Sequence, residues 1–563
     1  MPAQNHIINR QQFIIHTKSE KHAYTIQNSV SSLFHTKIIN IIDDICSARV
    51  PADQFIRLPA LHLNLGTISY AHLEEEFVDA FSRHFAAQLE ACLHITKTEE
   101  QNFVARPTIL HTDEEQGESP ALAQSKAEHT WELFYYFLKS GTFPWWAKNK
   151  EIIHLEKEFL HILAHPKPDV KDYLAELLTA RPTRLRLVQQ FSDKLIFEIG
   201  RTLSPQSMDI VEQLLALYRD LLQKKKKAYA DFRVIFWQLV IFHFTTFRST
   251  QLINRHLVFD SVAAVVDYVH TSEAKVCAAL VTDARLAKIV YDHGESRLLS
   301  QIKSHLQVKS HRFPQKKDSD EQRSAPAGMD HKKELRDIKR AGEEQFDRQS
   351  KTREESKDKR FKKVSISDEP HIDQPARIEK KVDVLDEQQQ KSKDLFFQEA
   401  LFVDNAGLVL LWPYLKIFFT NLGLLSDGLF LTLKQREHAI HLLYFLCTFE
   451  RSAPENLLTL NKLLCGWDLD KPISKTFRVT KKERLECEKL LQSVISHWSA
   501  LKNTSVKGFL HSFIQRNGIL THDTDTWLLR VERKAYDILL ERLPWSISLL
   551  KLSWMKTMLR VEW

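Results

Sequence analysis

The sequence predicts a mainly α protein with small α+β domains toward its N-terminal and C-terminal ends and a long charged, largely disordered linker between them. Three observations predict this. Apolar residues recur at three-to-four spacing through most of 128–306. Short alternating or apolar runs occur near 13–17, 61–65 and 518–531. From 307 to 395 charge of both signs is dense and large apolar residues are too sparse to offset the entropy of folding. Glycine is also scarce, 13 in 563 residues, well under the usual share of about 7%. That argues against a turn-dense β fold or a glycine-cradled nucleotide site.

Each element follows in chain order. "FIIHT" (13–17) reads as a strand, and Ile26, Val30, Leu33 and Phe34 mark the helix after it. In "LHLNLGTI", Leu61, Leu63 and Leu65 alternate with His62 and Asn64, predicting a half-buried strand closed at Gly66. A charged helix from about His72 to Leu93 completes an α+β domain, 1–102. Residues 103–127 are polar and irregular and are expected to form an exposed loop. The helical array, 128–306, opens with "WELFYYFLKSG", where Gly141 is the expected C-cap and Pro144 lies just beyond. Helices are expected at 151–164, 170–179, 184–199, 207–223, 231–247 and 259–305, with no fixed-period repeat. In the linker, 307–395, Pro326, Pro370 and Pro375 interrupt any transient helix.

The α+β C-terminal domain, 396–563, starts with "GLVLLWPYLKIFFTNLGLL", a helix pair interrupted at Pro413. Helices over "REHAIHLLYFLCTFE" and "KKERLECEKLLQSVISHW" follow. Asn517-Gly518 is expected to be a two-residue hairpin turn between strand-like runs. "TWLLRVER" supplies another strand, and "KAYDILLE" a last helix ending before Pro544. A tryptophan-rich tail, 543–563, closes the chain.

A chain of 563 residues is too long for one core. Lys and Arg number 79 against 72 Asp and Glu, and the two signs are interspersed, so no nucleic-acid face is marked. The six cysteines have no paired spacing and read as reduced core residues of a cytosolic protein. No secretory leader is expected, and no apolar run is long enough for a membrane span.

The best ligand-like cluster is His154, Glu158, His161 and His165 on one helical stripe, but Ile162 stands where a metalloprotease needs glutamate. A solvated polar face beside the apolar stripe of Leu155, Phe159, Ile162 and Leu163 is the favoured reading. "HDTD" (522–525) reads as a polar turn, and the tetralysine at 224–227 as a solvated helix end. No phosphate-loop, dinucleotide or nucleophile-elbow motif occurs. The expectation is a protein that is not an enzyme, with no catalytic residue, metal, cofactor or small-molecule substrate.

Six segments carry a family likeness: "LHLNLGTI" (61–68), "GTFPWWA" (141–147), "RLVQQFSD" (186–193), "LNKLLCG" (460–466), "HWSALKNTSV" (497–506) and "WLLRVERKAYDILLERLPWSISLLKLSWM" (527–555). Together they resemble the tape measure protein of contractile injection systems, phage-tail-like particles in which a sheath drives a rigid tube into a target. Two positions depart from the family pattern: Asn64 stands for an aspartate and Ser553 for a proline. The resemblance implies a structural assembly factor that sets the length of inner tube and sheath and anchors at the baseplate or spike end. Its implied partners are inner-tube and baseplate or spike proteins, with self-association as a further option. The implied location is the cytoplasm during assembly, with carriage inside the tube as a further option. The alternative is a chaperone-like adaptor bringing tube subunits or effectors to the assembling particle.

The tail carries the candidate partner-binding residues Pro544, Trp545, Ile547, Leu549, Lys551, Trp554, Lys556, Arg560 and Trp563. Aromatic anchors of this kind supply interface hot spots, and the cations suit an acidic partner. The competing reading folds the tail back as core of its own domain, with alternating Trp545, Ile547 and Leu549 adding a strand. Trp145 and Trp146 form either a partner-binding knob or, as favoured, a hydrophobic cap on the preceding helix.

Overall fold

The computed structural model describes residues 6–8, 11–17, 20–99, 122–147, 152–222, 226–270, 283–292 and 400–563, except 52, 53, 59, 167, 168, 502, 524 and 525. Contacts divide the chain into two units, Met1–Leu306 with Gln389–Trp563, and Gln307–Gln388. All described residues belong to the first; the charged linker expected at 307–395 lies outside them.

In the N-terminal part, α1 (Glu20–Leu33), a π-helical turn (Phe34–Ile38), α2 (Ile39–Arg49) and α3 (Leu73–Glu99) enclose a small core. Phe77, Phe81, Phe85 and Leu89 recur every four residues along α3 and meet Val30, Leu33, Phe34 and Ile38. Two strand expectations are corrected here. "FIIHT" has no ladder, and Ile14 is 75% exposed; Phe13, itself exposed, makes edge-on contacts with Phe34 and Phe77 at ring distances of 5.9 and 6.0 Å. "LHLNLGTI" keeps its alternation, with its leucines half-buried against the core and His62 and Asn64 exposed, but it is not part of a ladder. The strand that forms is β1 (Gln54–Arg57), paired antiparallel with β2 (Leu122–Ser125). Strand β2 falls in the stretch expected to be exposed loop. It is drawn in by a polar anchor: Arg57 grips Glu132 with two bonds of 2.9 and 3.1 Å, and buried Gln124 donates to the same carboxylate.

The helical array starts at α4 (Lys126–Ser140), opened by a Ser125/Glu128 capping box and closed by Gly141 in the left-handed region, φ 77°. It continues through α5 (Ile152–Ala164), α6 (Val170–Leu177), α7 (Arg181–Gln190), α8 (Asp193–Leu203), α9 (Met208–Leu222), α10 (Lys226–Thr246) and α11 (Thr250–His270), and a further helix spans Ala284–Asp292. The single helix expected at 184–199 is two, broken at Phe191-Ser192. Arg233 on α10 holds that break. Its guanidinium donates to the carbonyls of Val188 and Phe191, which α7 leaves open, and to Asp193 at the start of α8.

The C-terminal domain has its own sheet, β3 (Leu401–Val403), β6 (Gly518–Asp523), β7 (Thr526–Val531), β8 (Leu549–Leu550) and β9 (Met558–Glu562), in spatial order β3-β6-β7-β9-β8. Strands β7 and β9 are parallel and the other pairs antiparallel. A separate hairpin joins β4 (Leu425–Ser426) to β5 (Leu429–Phe430). Helices Leu433–Thr448 and Lys481–His497 match expectation, the latter opened by a Thr480/Glu483 capping box. The pair expected around Pro413 is a 3-10 turn, Ala406–Leu411, followed by the helix Trp412–Asn421. Proline in a first turn removes no needed donor. Asn517-Gly518 is not a hairpin turn: Leu510–Ile514 before it is a π-helical turn, and β6 begins at Gly518. Gly518 is needed for close approach, because a Cβ there would stand 2.7 Å from the Ala406 Cβ. The last expected helix is a 3-10 helix, Ala535–Arg542.

Among the described residues, buried apolar side chains form three clusters, one within 30–89, one within 133–289 and one within 401–561, with no shared member.

Candidate functional site

The tail is woven into the C-terminal domain. Its strand β9 lies between β7 and β8, and the register pairs Leu550 with Leu559 and Leu549 with Arg560. Each tryptophan of the tail satisfies its indole N–H inside the domain, as an amphipathic ring must when it turns inward. Trp545 donates to the Leu410 carbonyl at 3.1 Å and meets Tyr414 edge-on. Trp554, 5% exposed, donates to the Leu464 carbonyl at 2.8 Å and packs edge-on to Phe419 and Phe430. Trp563 donates to Asp537 at 3.0 Å, and its carbonyl accepts from Arg533. Ile547 is half-buried against the same core.

What the tail leaves outward is different. Pro544, Leu549, Lys551, Lys556 and Arg560 are exposed. Strand alternation puts Leu549, Met558 and Arg560 on the outer sheet face with Arg530 and Glu562, while Leu550, Leu559 and Val561 face the core. The cations have acceptors within the chain: Lys551 donates to the Lys556 carbonyl, Lys556 pairs with Asp468, and Arg560 and Arg530 both pair with Glu562. These exposed pairs hold little stabilisation and can be exchanged for a partner's groups at small cost. The structure therefore separates the nine candidate residues of the tail into inward anchors and an outward apolar and charged face.

"GTFPWWA" turns after the Gly141 cap into a 3-10 turn, Trp145–Ala147. The Arg57 guanidinium lies over the Trp146 ring at 4.1 Å, and His129 stands 5.0 Å from it. The side chain of Trp145 lies outside the described residues. On α5, Glu158 accepts from Thr130 at 3.4 Å and pairs with Lys126, while the His161 and His165 rings sit 6.4 Å apart. Among the described residues no group of three or more His, Cys, Asp or Glu is placed to hold a metal, and no helix is long and apolar enough to cross a membrane.

Pro144 leads to a second feature that residue patterns alone did not single out. It bridges Leu401, the start of edge strand β3, and so brings the array against the C-terminal domain. Beside it, Arg186 on α7 is fully buried, with its Nε 3.0 Å from Glu455 Oε2. Its other nitrogens donate to the carbonyls of Leu138, Lys139 and Asp470. Glu455 in turn binds Lys462 Nζ at 2.6 Å, and Lys462 donates to the Leu469 and Lys471 carbonyls. Burial pulls the Lys462 ammonium below its ordinary pKa; Glu455 opposes that and Arg186 adds to it. Gln190 completes the seam, accepting from the Glu455 N–H at 3.1 Å and donating to the Ile473 carbonyl at 2.8 Å. A Cβ at Gly141 would run into Glu455 Oε1 and stand 2.9 Å from Arg186 Nε.

Three of the segments that carry the family likeness contribute to the seam, those holding Gly141, Arg186 and Lys462, while Glu455 lies outside them. The family profile described as "Contractile injection system tape measure protein" matches residues 5–563. The chain belongs to this family. No curated protein and no solved structure matches it. As a tape measure protein it has a role in the contractile injection system and associates with the tube components of the particle. Sequence carries only a weak signal for its seam: Lys462 stands beside Leu463 and Leu464 in "TLNKLL", while Arg186, between Leu185 and Leu187, lies in a helix with two other arginines. A charge so placed is either at the edge of a core or paired within it.

Proposed function

We propose that this tape measure protein sets the length of inner tube and sheath through the segment 307–395 and is anchored at the baseplate or spike end by the outer face of its C-terminal sheet. The observation that carries the reading is the division of the chain: the segments on either side of 307–388 gather into one unit, and 307–388 forms the other. A ruler needs a part that holds and a part whose extent is counted. The holding face combines exposed Leu549 and Met558 with Arg560, Arg530 and Lys551 around them. An apolar centre with a charged rim is the composition of a docking surface.

The anchor is tested with Leu549→Glu combined with Met558→Glu in the full chain. Both side chains point outward, so the protein is expected to stay folded and soluble by circular dichroism and gel filtration. Incorporation into particles is expected to fall sharply on immunoblots of purified particles. Normal incorporation overturns this face as the anchor. Normal particles that lack the chain altogether support the adaptor role instead.

A further inference from the structure

The buried apolar side chains of the array and of the C-terminal domain form two separate clusters. Among the described residues, hydrogen bonds and a backbone bridge cross their seam: Arg186 with Glu455 and the Asp470 carbonyl, Gln190 with Glu455 and Ile473, Lys475 with the Gln190 carbonyl, and the Pro144–Leu401 bridge. We propose that this seam is a releasable clasp, which opens when the chain enters the particle so that the two bodies part intact and 293–399 becomes a spacer held at both ends. The part that concerns the particle rests on the tape measure reading; the clasp itself does not.

Three physical points support release. First, parting the bodies exposes no shared apolar cluster, which removes the main penalty that keeps domains together. Interfaces of this polar kind resemble transient ones. Second, the Arg186–Glu455–Lys462 cluster specifies register strongly while contributing modest net stability, because the three charges lose their hydration on closing. Opening separates Arg186, which keeps the Leu138 and Lys139 carbonyls on the array, from Glu455, which keeps Lys462 within the C-terminal domain, so each side retains partners for its charge. Third, the fit is tight in the closed state. Gly141 leaves just the room that Glu455 and Arg186 fill, so the seam has one closed geometry rather than a range of loose contacts.

The clasp also changes how the spacer is counted. While the seam is closed, 293–399 starts and ends on one body, so an extended path must leave and return, and its reach is at most half its contour. With the seam open, the whole contour lies between two holding points.

Two experiments test this. In the isolated full chain, Glu455→Ala removes the anion between two buried cations, and the clasp is expected to open. Small-angle X-ray scattering should show a larger radius of gyration, while urea unfolding keeps a cooperative transition for each core. Glu455→Gln, which keeps the shape and part of the hydrogen bonding, should expand less. An unchanged radius of gyration overturns the clasp, as does the loss of either cooperative transition, since the seam would then be part of a core. In assembly, Pro144→Cys with Leu401→Cys places a disulfide across an antiparallel bridge whose Cα separation suits one. The oxidised protein is expected to yield few particles and the same protein under reduction to restore them. Equal particle yield and length in both states overturns opening during assembly. Particle length that is indifferent to the chain altogether overturns the tape measure reading, and the scattering result then decides the clasp without it.

Discussion

Trp554 shows how one side chain decides between the two readings of the tail. Its ring lies among Phe419 and Phe430, its N–H is held by the Leu464 carbonyl, and it is 5% exposed. Trp554→Ala should therefore destabilise the domain by about 3–5 kcal/mol, as truncation of a buried aromatic does. Urea denaturation followed by tryptophan fluorescence measures it, and a loss below about 1 kcal/mol would mean that the ring is not core. The two departures from the family pattern are also local. Asn64 accepts the Gly66 N–H at 3.0 Å, a bond an aspartate makes equally well. Ser553 donates to the Gly428 carbonyl at 2.6 Å, which proline cannot do. A further residue sets an acid limit. His441, stacked on Phe477, has its pKa pushed down to about 3 by burial, with His438 and Lys462 adding to this. The unfolded chain binds the proton near pH 6.5 and the folded domain does not. Stability is thus retained above about pH 6.5 and declines as pH falls toward 3, by several kcal/mol in all. His441→Phe should flatten that slope in urea midpoints taken between pH 4 and 7.

At the scale of elements, helices were the most legible because their signal is local. The apolar stripe of α3, the Gly141 stop and the spacing of α5, α6 and α9 all formed as the three-to-four periodicity predicts. Strands were less legible because pairing is not local. "LHLNLGTI" has the right alternation and no partner, whereas β1 finds β2 through the Arg57–Glu132 anchor, 75 residues apart. Asn517-Gly518 has turn chemistry, but β6 and β7 meet instead at Asp523 and Thr526. Of the candidate site, the tail was legible as an aromatic stretch. Which rings turn inward was not, because that depends on carbonyls at 410 and 464. The Arg186–Glu455 pair joins residues 269 apart, beyond any periodicity. Two predictions belong here. Deleting 543–563 removes β8 and β9 and leaves β7 an uncovered edge, and the protein is expected to be insoluble; a soluble, cooperatively folded product would contradict the tail's place in the sheet. Gly141→Ala forces a side chain into a left-handed position against Glu455, costing about 1–3 kcal/mol. Amide exchange at Glu455 should then accelerate while that at Leu529 in the sheet stays slow.

At the scale of the whole molecule, the proposed function needs a folded anchor and a counted spacer, with the polar seam as the proposed joint between them. The most direct test is the length distribution of assembled particles by negative-stain microscopy, after deleting about 40 residues within 320–390 and, separately, after duplicating them. Lengths are expected to shift down and up in proportion. An end-to-end spacer moves the length by about 1.5 Å per residue if helical and by about 3.3–3.6 Å if extended. A path that leaves and returns to a closed seam halves either slope. Particles of unchanged length in both variants would contradict the central claim that this segment is the ruler.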